Sequence, residues 1–251
     1  MLAHLLPILL GVSTAVGQGF DHSAYSALLG EVAGPQGVDY GALSEKGEVL
    51  SAYLQGVAAA NPAEMATAER TAFWINAYNA TTLKLVIDNL PLASIRDLDE
   101  GRVWDARTFV IGGERLTLNQ LENDRLRPLG DPRIHAALNC AARGCPALRS
   151  SAYDAVGLDG ALDEAARAWV RGGGVEIDRD RRLVSLSQIF EWYREDFDAP
   201  ASTPEIPGVD SPFHGSLHFV ARFLDPADAA WIRQGQYQLA SITYDWSLND
   251  R

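Results

Sequence analysis

The chain has 251 residues, 47% of them apolar and 22% charged, enough for one sizeable core and too apolar for a disordered or fibrous protein. Its formal charge of −12 leaves no basic surface for nucleic acid and repels anionic lipid, so both are excluded as partners.

The first nineteen residues, MLAHLLPILLGVSTAVGQG, contain no Asp, Glu, Lys or Arg. Leu2 to Val16 is too short to span a bilayer, and Ala15-Val16-Gly17 has the small residues of a cleavage site. Residues 1–17 therefore read as a signal peptide and 18–251 as a single exported globular domain, periplasmic or secreted. No later stretch has the length and apolarity of a membrane helix, so no integral membrane segment is expected once the signal is removed.

After a turn at 34–43, residues 61–90 read as a long helix. Asn61 is its cap, Pro62 lies in its first turn and Glu64 stands three after the cap, with Pro91 as the stop. TFVIGGERLTL is a hairpin around Gly112-Gly113. TLNQLENDRLRPL is a short helix capped by Thr117 or Asn119 and stopped by Pro128. LDGALDEAARAWVRGGG is an amphipathic helix ending on glycines. GVEIDRDRRLVSLS is a second hairpin turning at Asp178 to Arg181, and SQIFEWYREDFD is a helix capped by Ser187. A Pro- and Gly-containing surface loop over 201–213 precedes a helix running to Asp225-Pro226, and QYQLASITYDW is a terminal strand. The class is α+β: a helix-rich domain with a small antiparallel sheet built from hairpins.

RIHAALNCAARGCPALR, residues 133–149, holds both cysteines and one of the five histidines. As a helix it aligns Ile134, Ala137, Leu138, Ala141 and Ala142 in one apolar stripe. His135 and Cys140 then lie about 140° apart around the axis, and a regular strand also sets them on opposite faces. They meet only if the chain bends between them. Within one helix Cys140 and Cys145 have Cα atoms about 8 Å apart, beyond disulfide reach, unless Gly144 breaks it. With His135 they fit no standard zinc pattern, and the His214/His218 pair lacks an acidic partner between its members.

Six stretches together carry a resemblance: VDYGAL (38–43), FWINAYNATTL (73–83), LTLNQLEN (116–123), DPRIHAALNCAARGCPALR (131–149), VSLSQIFEWYREDF (184–197) and YDWSLN (244–249). They are similar to domain-of-unknown-function family 547 and occur in its order over nearly the whole chain after the signal segment. The matching residues are Asn76, Asn79, Glu122, His135, Cys140, Cys145, Pro146, Trp192, Tyr193, Asp196, Asp245 and Trp246. The family has no established activity; the resemblance implies thiol-based chemistry centred on Cys140.

The chemistry of the residue types themselves suggests roles. Cys140 is the candidate nucleophile for hydrolysis or acyl transfer on an amide or thioester, in a small-molecule or peptide substrate. His135 is its base or the base's orienter. Asn76 and Asn79, three apart in an apolar helix, either polarise the substrate or tie neighbouring loops. Glu122 is an ionisable group among apolar neighbours, and Cys145 is a second thiol or disulfide partner. No P-loop, dinucleotide fingerprint or Gly-x-Ser-x-Gly elbow is present, so no cofactor is expected. Two other readings stay open: a non-catalytic binding or scaffold domain of the envelope, and a thiol redox module using Cys140 and Cys145.

Overall fold

The structure, a computed structural model, describes residues 19–198 and 203–251; the signal-peptide reading of residues 1–17 lies outside them. In chain order the first half holds helices α1 (Ser23–Val32), α2 (Tyr40–Glu45), α3 (Gly47–Ala59), α4 (Thr67–Ile87), α5 (Val103–Ala106), α6 (Leu118–Gln120) and α7 (Ile134–Ala137). The second half holds α8 (Leu158–Trp169), α9 (Gln188–Trp192), α10 (Arg194–Phe197), α11 (His214–Phe223) and α12 (Pro226–Gln234). The strands are β1 (Ala33–Gly34), β2 (Gly37–Val38), β3 (Phe109–Ile111), β4 (Glu114–Leu116), β5 (Val175–Asp178), β6 (Leu183–Ser187) and β7 (Gln238–Ile242). This is a helix-rich α+β protein. Both expected hairpins form: β3 pairs antiparallel with β4, and β5 with β6.

Three details depart from the sequence reading. The sheets are three, and the largest is mixed: β7 joins β6 in parallel, reached by a crossover through α9 to α12. The long helix starts at Thr67, because Asn61 spends its side chain on Glu64 in a separate single turn, Pro62–Glu64. The helix expected to run to Asp225-Pro226 does stop there, at Phe223, but a further helix follows: Asp225 accepts from the Ala227 and Asp228 amides and opens α12, with the proline in its first turn.

Helix α4 is buried on nearly every side from Thr71 to Val86 and packs against α2, α3 and the helical turn over residues 121–126. Gly112 turns the hairpin β3–β4 with φ +60, and a Cβ there would lie 2.6 Å from the Pro62 ring, so only glycine fits. A second cluster forms around Trp169, Phe190, Phe197, Phe219 and Phe223, under the sheet β5–β6–β7. The segment 134–148 runs along the seam: Ile134, Leu138 and Leu148 pack into the first cluster, while Cys140 and Cys145 rest against the second. Among the described residues no helix is long and apolar enough to cross a membrane.

Candidate functional site

The segment expected as one helix makes a single helical turn, α7, and then leaves it: Leu138 is extended and Ala141 is left-handed at φ +62. Polar side chains enforce the bend. Asn79 on α4 donates to the Ala137 carbonyl and accepts from the Asn139 amide, both at 2.9 Å, so its carboxamide acts as a strand partner for chain outside any sheet. Asn139 donates to the Pro146 carbonyl at 2.9 Å and accepts from the Ala141 amide at 3.1 Å, which closes the loop carrying both cysteines. Asn76, one turn earlier on α4, clamps Tyr153 in the same way, at 2.7 and 2.9 Å. Asn76 and Asn79 therefore hold backbone, which is the second of the two roles open to them, because both carboxamides bond to peptide groups.

The C-terminal segment closes the loop from the other side. The amides of Arg143 and Gly144 donate to the carbonyls of Ser247 and Asp245, both at 2.9 Å. Gly144 permits the approach, since a Cβ there would stand 2.9 Å from the Tyr244 ring. The bend brings the Cα atoms of Cys140 and Cys145 to 6.3 Å, and the two sulfurs are joined as a disulfide. The Tyr244 hydroxyl lies 3.0 Å from both sulfurs, and the Cys140 backbone N–H donates to Cys145 Sγ at 3.0 Å. Burial, with the charge of Glu122 nearby, holds the Tyr244 phenol well above its ordinary pKa, so it stays a donor.

Both cysteines border a cleft of about 210 Å³ whose walls are mainly aromatic. Trp192, Trp246 and Tyr244 form a contiguous wall, with Tyr244 and Trp246 centroids 4.5 Å apart and Trp192 and Trp246 stacked at 5.7 Å. Trp192 is 45% exposed although it packs on two other rings. Trp104 continues this wall from α5, with its ring 5.8 Å from that of Trp246.

His135 and Glu122 line the same cleft, and both are buried. His135 does not pair with Cys140. Its Nε2 binds Asp196 Oδ2 at 2.7 Å, and its Nδ1 faces Glu122 Oε1 at 3.7 Å. The expected cysteine–histidine dyad is thus not formed, because the imidazole is held between two carboxyl groups. Tyr193 stacks on its ring at 4.1 Å, and Arg127 grips both oxygens of Asp196 at 2.7 and 2.9 Å. Partial burial works against the Asp196 charge, but bonds from His135 and Arg127 outweigh it and hold its pKa down, to about 2. Burial pushes the Glu122 carboxyl up, opposed in part by His135 and by the Tyr193 hydroxyl that donates to it. Two carboxyl groups on one imidazole are thus driven in opposite directions.

The sign for Glu122 is clear. A carboxyl whose folded pKa is raised costs stability above its unfolded pKa near 4.3, and the cost fades as pH falls through the raised value. Glu122→Gln is accordingly expected to raise the thermal midpoint at pH 7. The gain should vanish by about pH 4. Thermal melts from pH 4 to 8 measure it, and a midpoint lowered at pH 7 would show that the Glu122 charge is net stabilising.

The fold thus brings together four of the six expected site residues, Glu122, His135, Cys140 and Cys145, and assigns Asn76 and Asn79 to the scaffold. Sequence reading gave Tyr244, Asn139 and Trp104 no role. Tyr244 and Asn139 stand inside the stretches YDWSLN and DPRIHAALNCAARGCPALR, whereas Trp104 carries no local signal. His214 and His218 lie away from the cleft. His214 Nδ1 accepts the Ile206 amide at 3.0 Å and His218 binds the Pro204 carbonyl at 2.9 Å, so the pair secures the loop before α11. Among the described residues no group of three His, Cys, Asp or Glu side chains is arranged to hold a metal.

No curated protein and no solved structure matches the chain. Residues 62–170 match the model of a family described as a protein of unknown function, DUF547. The matched region runs from α4 through the cysteine loop to the end of α8, while Trp192, Tyr193, Tyr244 and Trp246 reach the cleft from beyond it and Asp196 reaches His135. The matched region supplies both cysteines, Glu122 and His135, and through it the chain is similar to the DUF547 family.

Proposed function

We propose that the protein is an exported thiol–disulfide exchange module, in which the Cys140–Cys145 pair oxidises a dithiol bound in the aromatic cleft. One observation carries this reading: the bonded sulfurs border a cleft while closing a loop of very few residues. Such a loop constrains little of the unfolded chain, so the bond adds little to stability. Export fits, since a disulfide persists outside the reducing cytosol. Hydrolysis or acyl transfer through Cys140 is less well supported. It needs a free thiolate with a base beside it, and both nitrogens of His135 face carboxyl groups.

The exchange runs as follows. A substrate thiolate, its proton already given to solvent, attacks Cys140 Sγ. The Cys140–Cys145 bond breaks, and its electron pair leaves on Cys145 Sγ. That sulfur alone accepts the Cys140 N–H, so it is the better leaving group. The second substrate thiol then attacks the substrate sulfur of the mixed disulfide and passes its proton to Cys140. The substrate leaves as a disulfide, and the protein keeps a Cys140 thiol and a Cys145 thiolate.

The test treats folded protein with benzyl mercaptan, an aromatic thiol, and then with iodoacetamide, read by intact mass. Two alkylated cysteines on protein that keeps its native thermal midpoint are expected. Alkylation that appears only after denaturation would overturn the proposal and leave a passive, bridged domain.

A further inference from the structure

Cys145 and Tyr244 border two clefts, whereas Cys140 borders only the aromatic one. The second groove, also about 210 Å³, lies between the cysteine loop, the wide turn after α8 and the ends of β6 and β7. Its character differs from that of the first. Arg143, Glu176 and Asp245 bring mixed charge, and one wall is bare backbone at Gly172 and Gly173. Gly173 is held to glycine by its φ of +133, but an added Cβ at Gly172 meets open space, so packing does not demand a glycine there, and a second backbone has room to lie against both.

Resting on the exchange reading above, we infer that the two half-reactions use opposite faces of the disulfide: the dithiol substrate reaches Cys140 from the aromatic cleft, and an extended polypeptide bearing a disulfide reoxidises the pair through Cys145 from the Gly172-Gly173 groove. The chemistry links the two faces. The first half-reaction leaves its negative charge on Cys145, the cysteine that borders both clefts. The Cys145 thiolate attacks the partner's disulfide, forms a mixed disulfide and releases one partner thiolate. That thiolate takes the Cys140 thiol proton. Cys140 Sγ then attacks Cys145 Sγ, restores the Cys140–Cys145 bond and releases the partner's second sulfur as thiolate. Two electrons pass from substrate dithiol to partner disulfide, and each protein sulfur ends as it began.

A mixed-charge groove walled by bare backbone suits a peptide chain, whose own amides and side chains find partners there. An aromatic cleft suits a compact apolar thiol.

The experiment uses two probes on the full chain: benzyl mercaptan to reduce the disulfide, and a short peptide closed by an internal disulfide to reoxidise the dithiol form. Gly172→Trp fills the groove from a position where the added Cβ meets open space. Glu176→Trp, at an exposed position on β5, is the second variant should the first fail to fold. Each variant is expected to slow peptide reoxidation about tenfold while reduction by benzyl mercaptan stays within about twofold of the parent. Trp192→Ala should do the reverse, slowing benzyl mercaptan and sparing the peptide. Groove variants that slow neither step, or both equally, overturn the two-faced arrangement while the exchange reading stands. Wild-type protein that benzyl mercaptan cannot reduce overturns the exchange reading itself.

Discussion

With Cys140 replaced by serine, the remaining Cys145 thiol is expected to titrate below the Cys140 thiol of the reciprocal variant, Cys145→Ser. The difference comes from one donor. Tyr244 lies 3.0 Å from both sulfurs and favours neither, but the Cys140 backbone N–H points at Cys145 alone. A hydrogen bond to the charged form lowers a pKa, and a serine at 140 keeps that backbone donor in place. The measurement is the rate of iodoacetamide alkylation against pH for each single variant. Cys145 should reach half-maximal rate below the free-thiol value of about 8.5, with Cys140 the higher of the two. The reciprocal order would reverse the direction of attack and make Cys140 the leaving group. Tyr244→Phe in each background removes the shared donor and should raise both midpoints while preserving their order.

Asn139→Ala is expected to be the most destabilising single truncation near the cleft. Its carboxamide meets three partners: the Pro146 carbonyl, the Ala141 amide and Asn249 Nδ2 at 3.2 Å. Asn249 in turn accepts from the Tyr40 hydroxyl at 2.7 Å, so one buried chain of polar groups ties α2, the cysteine loop and the C-terminal segment. Truncation leaves up to three buried groups unpaired, at about 1–3 kcal/mol each, which places the loss on the order of 3–5 kcal/mol. For a chain of this length that is roughly a 10 °C fall in thermal midpoint. A fall of only a degree or two would mean that the loop holds its shape without this carboxamide.

The two asparagines of α4 show what a sequence signal can and cannot say. Asn76 and Asn79 stand out because carboxamides in an apolar helix must find partners inside the protein, and that much is local. Which partners they find is not local: Tyr153 and the pair Ala137/Asn139 lie tens of residues downstream, in segments that have no sheet of their own. The same limit governs His135. Its nearness in sequence to Cys140 invited a dyad, but the ring turns to Asp196, 61 residues away, because a buried imidazole bonds most strongly to a carboxylate that Arg127 already fixes.

By itself the sequence determined the elements whose causes are short-range. These are the two hairpins with their turn residues, the Thr117 and Ser187 caps, the glycine stop after α8 and the apolar helix α4 with its polar pair. It also determined the inventory of reactive side chains. Only the tertiary structure decided that residues 134–149 bend instead of continuing as a helix, that the bend closes Cys140 on Cys145, and that Tyr244 stands over both sulfurs. The physical reason is that helical periodicity scores only neighbours within a turn or two. The groups that broke this helix are a carboxamide from α4 and the backbone of the last residues, and their pull arises only after the chain has folded back on itself.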